Sequence, residues 1–127
     1  MSEANKEIIR RLADSWQSAD LSVIDELVPP EMIDHTAMAG QAHGAEGIKQ
    51  IVRELHAALV GLRFITEDVI AEGDQVVIRW TIRGTLTQAL WSWPATGRPF
   101  GLRGLTMVRI NAGRVVERWS FSRRLED

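Results

Sequence analysis

The chain has no cysteine, so disulfides, thiolate nucleophiles and cysteine-ligated metals are excluded. No apolar run approaches the roughly 20 residues that a membrane-spanning helix needs. The opening Met1-Ser2-Glu3-Ala4-Asn5-Lys6-Glu7 is charged and polar where a secretory signal would be apolar. By exclusion, the cytoplasm is the expected location and no membrane is expected as a partner. Neither sign of charge dominates: 15 basic and 17 acidic side chains leave a formal net charge of -2. That balance creates no strong field for nucleic acid, which is likewise not expected as a partner. The three histidines, His35, His43 and His56, are scattered without metal-ligand spacing, so no metal is expected.

What is present suits one globular domain, 1–127. Hydrophobic residues make up 45% and charged residues 25% of the 127 positions, enough for a single sizeable core. Residues 4–18 place Ile8, Ile9, Leu12, Ala13 and Trp16 at helical spacing, with charges elsewhere, which predicts an amphipathic helix. Ser18-Ala19-Asp20 breaks it, a short helix follows over Leu21–Val28, and Pro29-Pro30 ends that one. Met32-Ile33-Asp34-His35 is too short to assign by periodicity. Gly40–Gly44 reads as an exposed loop before a third helix over Ala45–Leu59, whose inward stripe is Ile48, Ile51, Val52, Leu55 and Leu59. Four strands are predicted at 63–71, 75–84, 99–110 and 114–122, with turns at Glu72-Gly73-Asp74 and Asn111-Ala112-Gly113.

Helices followed by antiparallel strands predict an α+β layer arrangement. A sheet of this length is expected to curl, leaving a small-molecule cavity between the helices and the sheet. Five tryptophans, Trp16, Trp80, Trp91, Trp93 and Trp119, supply rings that either fill a core or line an apolar pocket while offering an N–H.

Several phrases recur in a known family's order. They are Ile33-Asp34-His35, Gly44-Ala45-Glu46-Gly47-Ile48-Lys49, Leu62-Arg63-Phe64, Asp68–Asp74, Val77–Thr85 and Ala95-Thr96-Gly97-Arg98 before the terminal hairpin. In these the chain resembles the SnoaL-like polyketide cyclases, within the group that shares the nuclear transport factor 2 fold. The resemblance covers nearly the whole chain. It implies a cone-shaped α+β barrel, three N-terminal helices packed on a curved, mainly antiparallel sheet, commonly dimeric, with the ligand inside the cone. It also implies a cofactor-independent intramolecular aldol reaction on a hydrophobic carbonyl compound, driven by a positioned acid–base pair. Aligned on Arg109-Ile110 and the following turn, the family's aspartate and histidine fall on Ser120 and Thr106. A further histidine frequent after Gly84-Thr85 is replaced by Leu86. A hydroxyl can donate a hydrogen bond, but alone it is a poor base near neutrality.

Two other functions share the fold: non-catalytic small-molecule binding, and epoxide hydrolysis by two carboxylates bridged by an arginine. For the latter, Arg79 lies on a suitable strand, while Thr81 and Ser120 stand where carboxylates are wanted. The candidate catalytic residues are therefore His35 with Asp34, and Thr106 with Ser120. A histidine side chain is suited to proton exchange and a carboxylate neighbour can fix its tautomer, although adjacent strand residues face opposite ways. Candidate substrate contacts are Trp16, Trp80, Leu86, Trp91, Trp93 and Arg118, the last sharing a strand face with Ser120. Trp91-Ser92-Trp93-Pro94 serves either as a lid over the pocket or as a dimer contact. His43 and His56 are assigned to loop exposure and to solvent or a subunit contact.

Overall fold

A computed structural model describes residues 2–125. Helix α1 spans Ser2–Ser18, α2 Leu21–Leu27 and α3 Gly44–Ala58. Strand β1 is the two-residue Ile33–Asp34, followed by β2 Leu59–Glu72, β3 Gln75–Leu86, β4 Pro99–Asn111 and β5 Arg114–Leu125. The long elements follow from the apolar periods, with small differences at their ends. Asp20 caps α2, its carboxylate accepting from the Ser22 N–H at 3.1 Å. Helix α3 stops at Ala58 because Leu59 is already extended and begins β2. Gly44 is a buried first residue of α3 rather than part of an exposed loop. It has φ +56°, and a Cβ there would meet the Pro30 carbonyl oxygen at 2.1 Å, so α3 is seated directly on Pro29-Pro30.

The strands form one sheet in the order β1-β5-β4-β3-β2. β1 runs parallel to β5, and every other neighbouring pair is antiparallel. Ala112 and Gly113, with φ of +51° and +76°, make the tight turn between β4 and β5. Two left-handed residues match the twist of such a hairpin.

The expected cone-shaped barrel is not formed: the sheet is open, neither closed nor strongly curled onto itself. β1 and β2 lie at opposite edges, and a two-residue β1 offers no ladder onto which the 14-residue β2 could close. Helices cover one face instead. α1 lies over β2 and β3, α2 touches β5, and α3 packs against α2 and β2. The core between the layers includes Ile9, Leu12, Ile24, Val28, Ile48, Val52, Ile82, Leu102 and Val108, each under a tenth exposed. At the far edge, the Gln17 side-chain amide donates to the Leu62 carbonyl at 3.0 Å and accepts from the Phe64 N–H at 2.6 Å.

One glycine decides where the site lies. Trp80 on β3 is the direct cross-strand partner of Gly104 on β4, and its ring lies across that glycine. A Cβ on Gly104 would sit 2.5 Å from both the Trp80 ring and the Phe121 carbonyl. Gly104→Ala is therefore expected to displace the Trp80 ring and cost about 1–3 kcal/mol, the range for overpacking. Urea denaturation measures the cost, and loss of the protected Trp80 indole N–H signal reports the displacement.

Candidate functional site

Two neighbouring chambers lie between the helices and the inner sheet face. The inner one, about 50 Å³, is lined by apolar side chains including Leu12, Met32, Ile78 and Val108, together with Thr106. The outer one, about 100 Å³, is lined by Thr36, Met38, Gln41, Trp91, Ser120 and Ser122 among others. Trp16, Trp80 and Arg118 border both and so form the neck between them. One water needs roughly 10–15 Å³, so the inner chamber alone holds only a few.

Alternation along β5 brings Arg118, Ser120 and Ser122 to the chamber side, while Glu117, Trp119 and Phe121 fall on the other face. Thr106 and Ser120 are cross-strand partners, their hydroxyl oxygens 2.8 Å apart. The Trp80 indole N–H donates to Thr106 Oγ1 at 2.9 Å, completing a Trp80–Thr106–Ser120 chain. Phe64 links Trp16 and Trp80 into an aromatic wall, with ring centroids 5.8 Å and 5.9 Å apart. The Arg118 guanidinium lies 5.9 Å from the Trp16 ring centroid.

Asp34 sits behind Arg118, its side chain 5% exposed, and accepts from Arg118 Nη1 at 2.7 Å. Its carboxylate also accepts from the Thr36 N–H and Oγ1 and from Gln41 Nε2. Burial pushes the Asp34 carboxyl up, but the Arg118 charge and the Gln41, Thr36 and Arg118 hydrogen bonds together hold it below the ordinary range. Burial likewise pulls the Arg118 guanidinium down, and Asp34 opposes that pull. The pair remains ionised. A carboxylate saturated by four donors is a weak proton acceptor, so Asp34 serves to anchor Arg118.

His35 takes the opposite direction, as strand alternation requires. Its ring stacks on Trp119 at 4.5 Å, and Nε2 donates to Glu117 at 2.8 Å on the sheet's outer face. Glu117 also receives Arg109, which reaches Asp74, and the His35 and Arg109 contacts hold its carboxyl below the ordinary range. Asp34 and His35 thus do not work as a pair. Leu86 is fully buried in the core, its backbone bonded to the 96–98 segment. Trp93 packs on Phe100 under Arg124, while Trp91, with φ +53°, borders the outer chamber and donates to Glu54. Arg79 pairs with Asp68 on the outer face, away from the chambers. His43 is exposed just before α3. His56 is half-buried, donating from Nε2 to the Trp16 carbonyl at 2.7 Å, so it ties α3 to α1 rather than facing solvent. Several contributors escaped the sequence reading, among them Thr36 and Gln41, whose loop positions gave no signal, Phe64 in the aromatic wall, and Gly104, signalled only by its place opposite Trp80.

The model of the SnoaL-like polyketide cyclase family matches residues 6–126, and the chain belongs to that family. IdmH from Streptomyces antibioticus, a candidate polyketide cyclase, is 31% identical over 93% of this chain and 91% of its own, with a TM-score of 0.78. TsrD from Streptomyces laurentii shares the fold at a TM-score of 0.85 and 21% identity, over 94% and 88% of the two chains. AclR from Streptomyces galilaeus, a candidate hydroxylase, shares it at 0.80 and 20% identity, over 97% and 91%. No match was found among curated proteins. Among the described residues, no helix is long and apolar enough to cross a membrane, and no group of three metal-ligating side chains converges.

Removing one partner of the Asp34–Arg118 pair strands the other charge. Asp34→Ala is expected to cost about 3 kcal/mol in urea denaturation, and Asp34→Ala with Arg118→Met less than the two single changes together. The folded Asp34 carboxyl lies below its unfolded value, so its stabilisation is complete above about pH 4 and is lost as pH falls through the folded value. The stability gap between wild type and Asp34→Asn should therefore close on acidification, and a gap that widens in acid contradicts the assignment.

Proposed function

We propose that this SnoaL-like protein is an enzyme acting on a hydrophobic carbonyl compound held across the two chambers, by stabilising its enolate for an intramolecular aldol or isomerisation step. The carrying observation is the convergence of Arg118 and the Trp80–Thr106–Ser120 chain on the neck of an otherwise apolar cleft. In this reading the substrate's carbonyl oxygen lies against Arg118 and a hydroxyl. The C–H bond beside that carbonyl breaks, its proton passes to water at the mouth, and its electron pair forms an enolate. The enolate oxygen is held by the same donors, which stabilise charge that develops in the transition state. The enolate carbon then attacks a second carbonyl of the molecule, a C–C bond forms, and the new alkoxide recovers a proton. Substrates already acidified by neighbouring carbonyls suit a site with no free base.

A second reading, a binding protein without turnover, is favoured by one observation: among the described residues, Arg118 is the only ionisable side chain lining either chamber. Epoxide hydrolysis has less support, because Asp34 is the one carboxylate paired with Arg118. We further propose a homodimer through the outer sheet face. There Leu105 and Phe121, 52% and 68% exposed, lie with Ile65 in a shallow depression bordered by arginines and Glu67.

A panel of polyketide-like and steroid-like carbonyl compounds separates the first two readings: turnover supports the enzyme, saturable binding without turnover the binder. Arg118→Gln should lower turnover by about 100-fold or more, as loss of an oxyanion donor does. Ser120→Ala should lower it by up to roughly tenfold, whereas His35→Gln should leave it within about twofold, because the ring makes no approach to the cleft. Sedimentation should give twice the 14.3 kDa chain mass at micromolar protein, and Phe121→Glu should return the single-chain value.

A further inference from the structure

We propose that the neck of the cleft is a receptor for an anionic, acceptor-only group, a carboxylate or an enolate, carried on an apolar body. This rests on the cleft being the ligand site and specifies the chemical class it takes. The argument begins with the acceptors. Asp34 Oδ1 is taken by the Thr36 N–H and hydroxyl, and Oδ2 by Gln41 and Arg118. Thr36 Oγ1 accepts from the Ser120 N–H, and Gln41 Oε1 from the Met38 N–H. Each of these oxygens is already spoken for by the protein.

The donors are not exhausted. Arg118 carries five N–H groups in a planar fork and, among the described residues, makes a single side-chain hydrogen bond, to Asp34. Among the described residues no buried side-chain nitrogen or oxygen lacks a partner, so the remaining guanidinium nitrogens border open space. The open spaces Arg118 borders are the two chambers. The hydroxyl pair adds another donor by necessity. An indole N–H can only donate, so Thr106 Oγ1 accepts from Trp80. One hydroxyl hydrogen then makes the Thr106–Ser120 bond, and whichever way it runs the other is left over. It faces the inner chamber from Thr106 or the outer one from Ser120.

A pocket end whose carboxylate is saturated while its guanidinium keeps unused donors favours an oxygen-rich partner. Charge sharpens the selection. The Asp34 carboxylate is divided among four hydrogen bonds, and among the described residues no other acid lines the chambers to balance the desolvated guanidinium. A fork that can offer parallel N–H groups matches two carboxylate oxygens, or the two oxygens of an enolised dicarbonyl. A protonated amine would face the like charge of the guanidinium. The apolar inner chamber and the Trp16–Phe64–Trp80 wall receive the remainder of the molecule.

The test uses three probes of similar size on one phenyl ring, benzoate, benzamide and benzylamine, titrated into the wild-type protein while the Trp16 and Trp80 indole N–H signals are followed by NMR. Benzoate should bind about tenfold or more tightly than benzamide, with benzylamine failing to shift either indole. Arg118→Lys, which keeps the charge but not the fork, should lose most of that preference; Arg118→Gln should abolish it. Equal binding of benzoate and benzamide would overturn the proposal, as would tighter binding of the amine or no benzoate response at tens of millimolar. A benzoate preference unchanged in Arg118→Lys would also overturn it, and that arm does not depend on the glutamine variant folding. Failure of the enzyme reading looks different. Benzoate preference without turnover of any carbonyl compound removes the enzyme and keeps the receptor, whereas turnover of neutral ketones without benzoate preference does the reverse.

Discussion

The buried contact between Asp34 and Arg118 is the constraint on which the site depends. It joins the only parallel pairing in the sheet, so the chain leaving α2 is fixed against the last strand. Through Gln41 and Thr36 the same carboxylate organises the segment that follows β1 and borders the cleft mouth. Burial opposes both charges, and a surface pair of the same geometry would contribute little. Here the cost of desolvation is offset by saturating the carboxylate. The guanidinium is consequently held at one place and angle at the neck, its unused donors turned toward the space between the layers.

Strand alternation sorts the chemistry of the sheet between its two faces. Arg118 and Ser120 turn inward to meet Thr106 and Trp80, whereas Glu117 and Trp119 turn outward to meet His35. The familiar relation between a histidine and an acid therefore exists in this protein, but on the wrong side of the sheet to reach a ligand in the cleft. Inside, where the family resemblance implies an aspartate and a histidine, two hydroxyls and an indole form a chain without a titrating group.

Much of this arrangement was legible before any coordinates. Ile48, Ile51, Val52 and Leu55 set the period of α3, and the turns at Gly73 and Gly113 set the hairpins, because those signals are local. The same alternation that places Ser120 inward predicts Arg118 beside it and separates Asp34 from His35. Closure of the sheet was not legible, since it depends on whether two distant edges meet, and the brevity of β1 leaves no periodic trace. Leu86 and Trp93 were expected near a ligand but lie in the core and against Phe100, positions decided by how the 87–98 segment folds back. Gly104 carries its meaning only through register: a glycine opposite a tryptophan is a place for the ring to lie, and register is a property of two strands together.

An open sheet, unlike a closed one, has borders, and each border is a template on which a foreign strand can add. This protein occupies its templates with side chains. Along β2, the Gln17 amide imitates a strand residue, giving and taking one hydrogen bond where a neighbouring backbone would. Along β5, the Thr36 hydroxyl takes the Ser120 N–H just beyond the point where β1 ends. Further along β2, the irregularity between Thr66 and Asp68 and the acids Glu67, Asp68 and Glu72 make the remaining border uneven and charged. Two side chains whose hydrogen bonds read locally as loop and helix-end decoration thus act as false strands at the borders of an unclosed sheet.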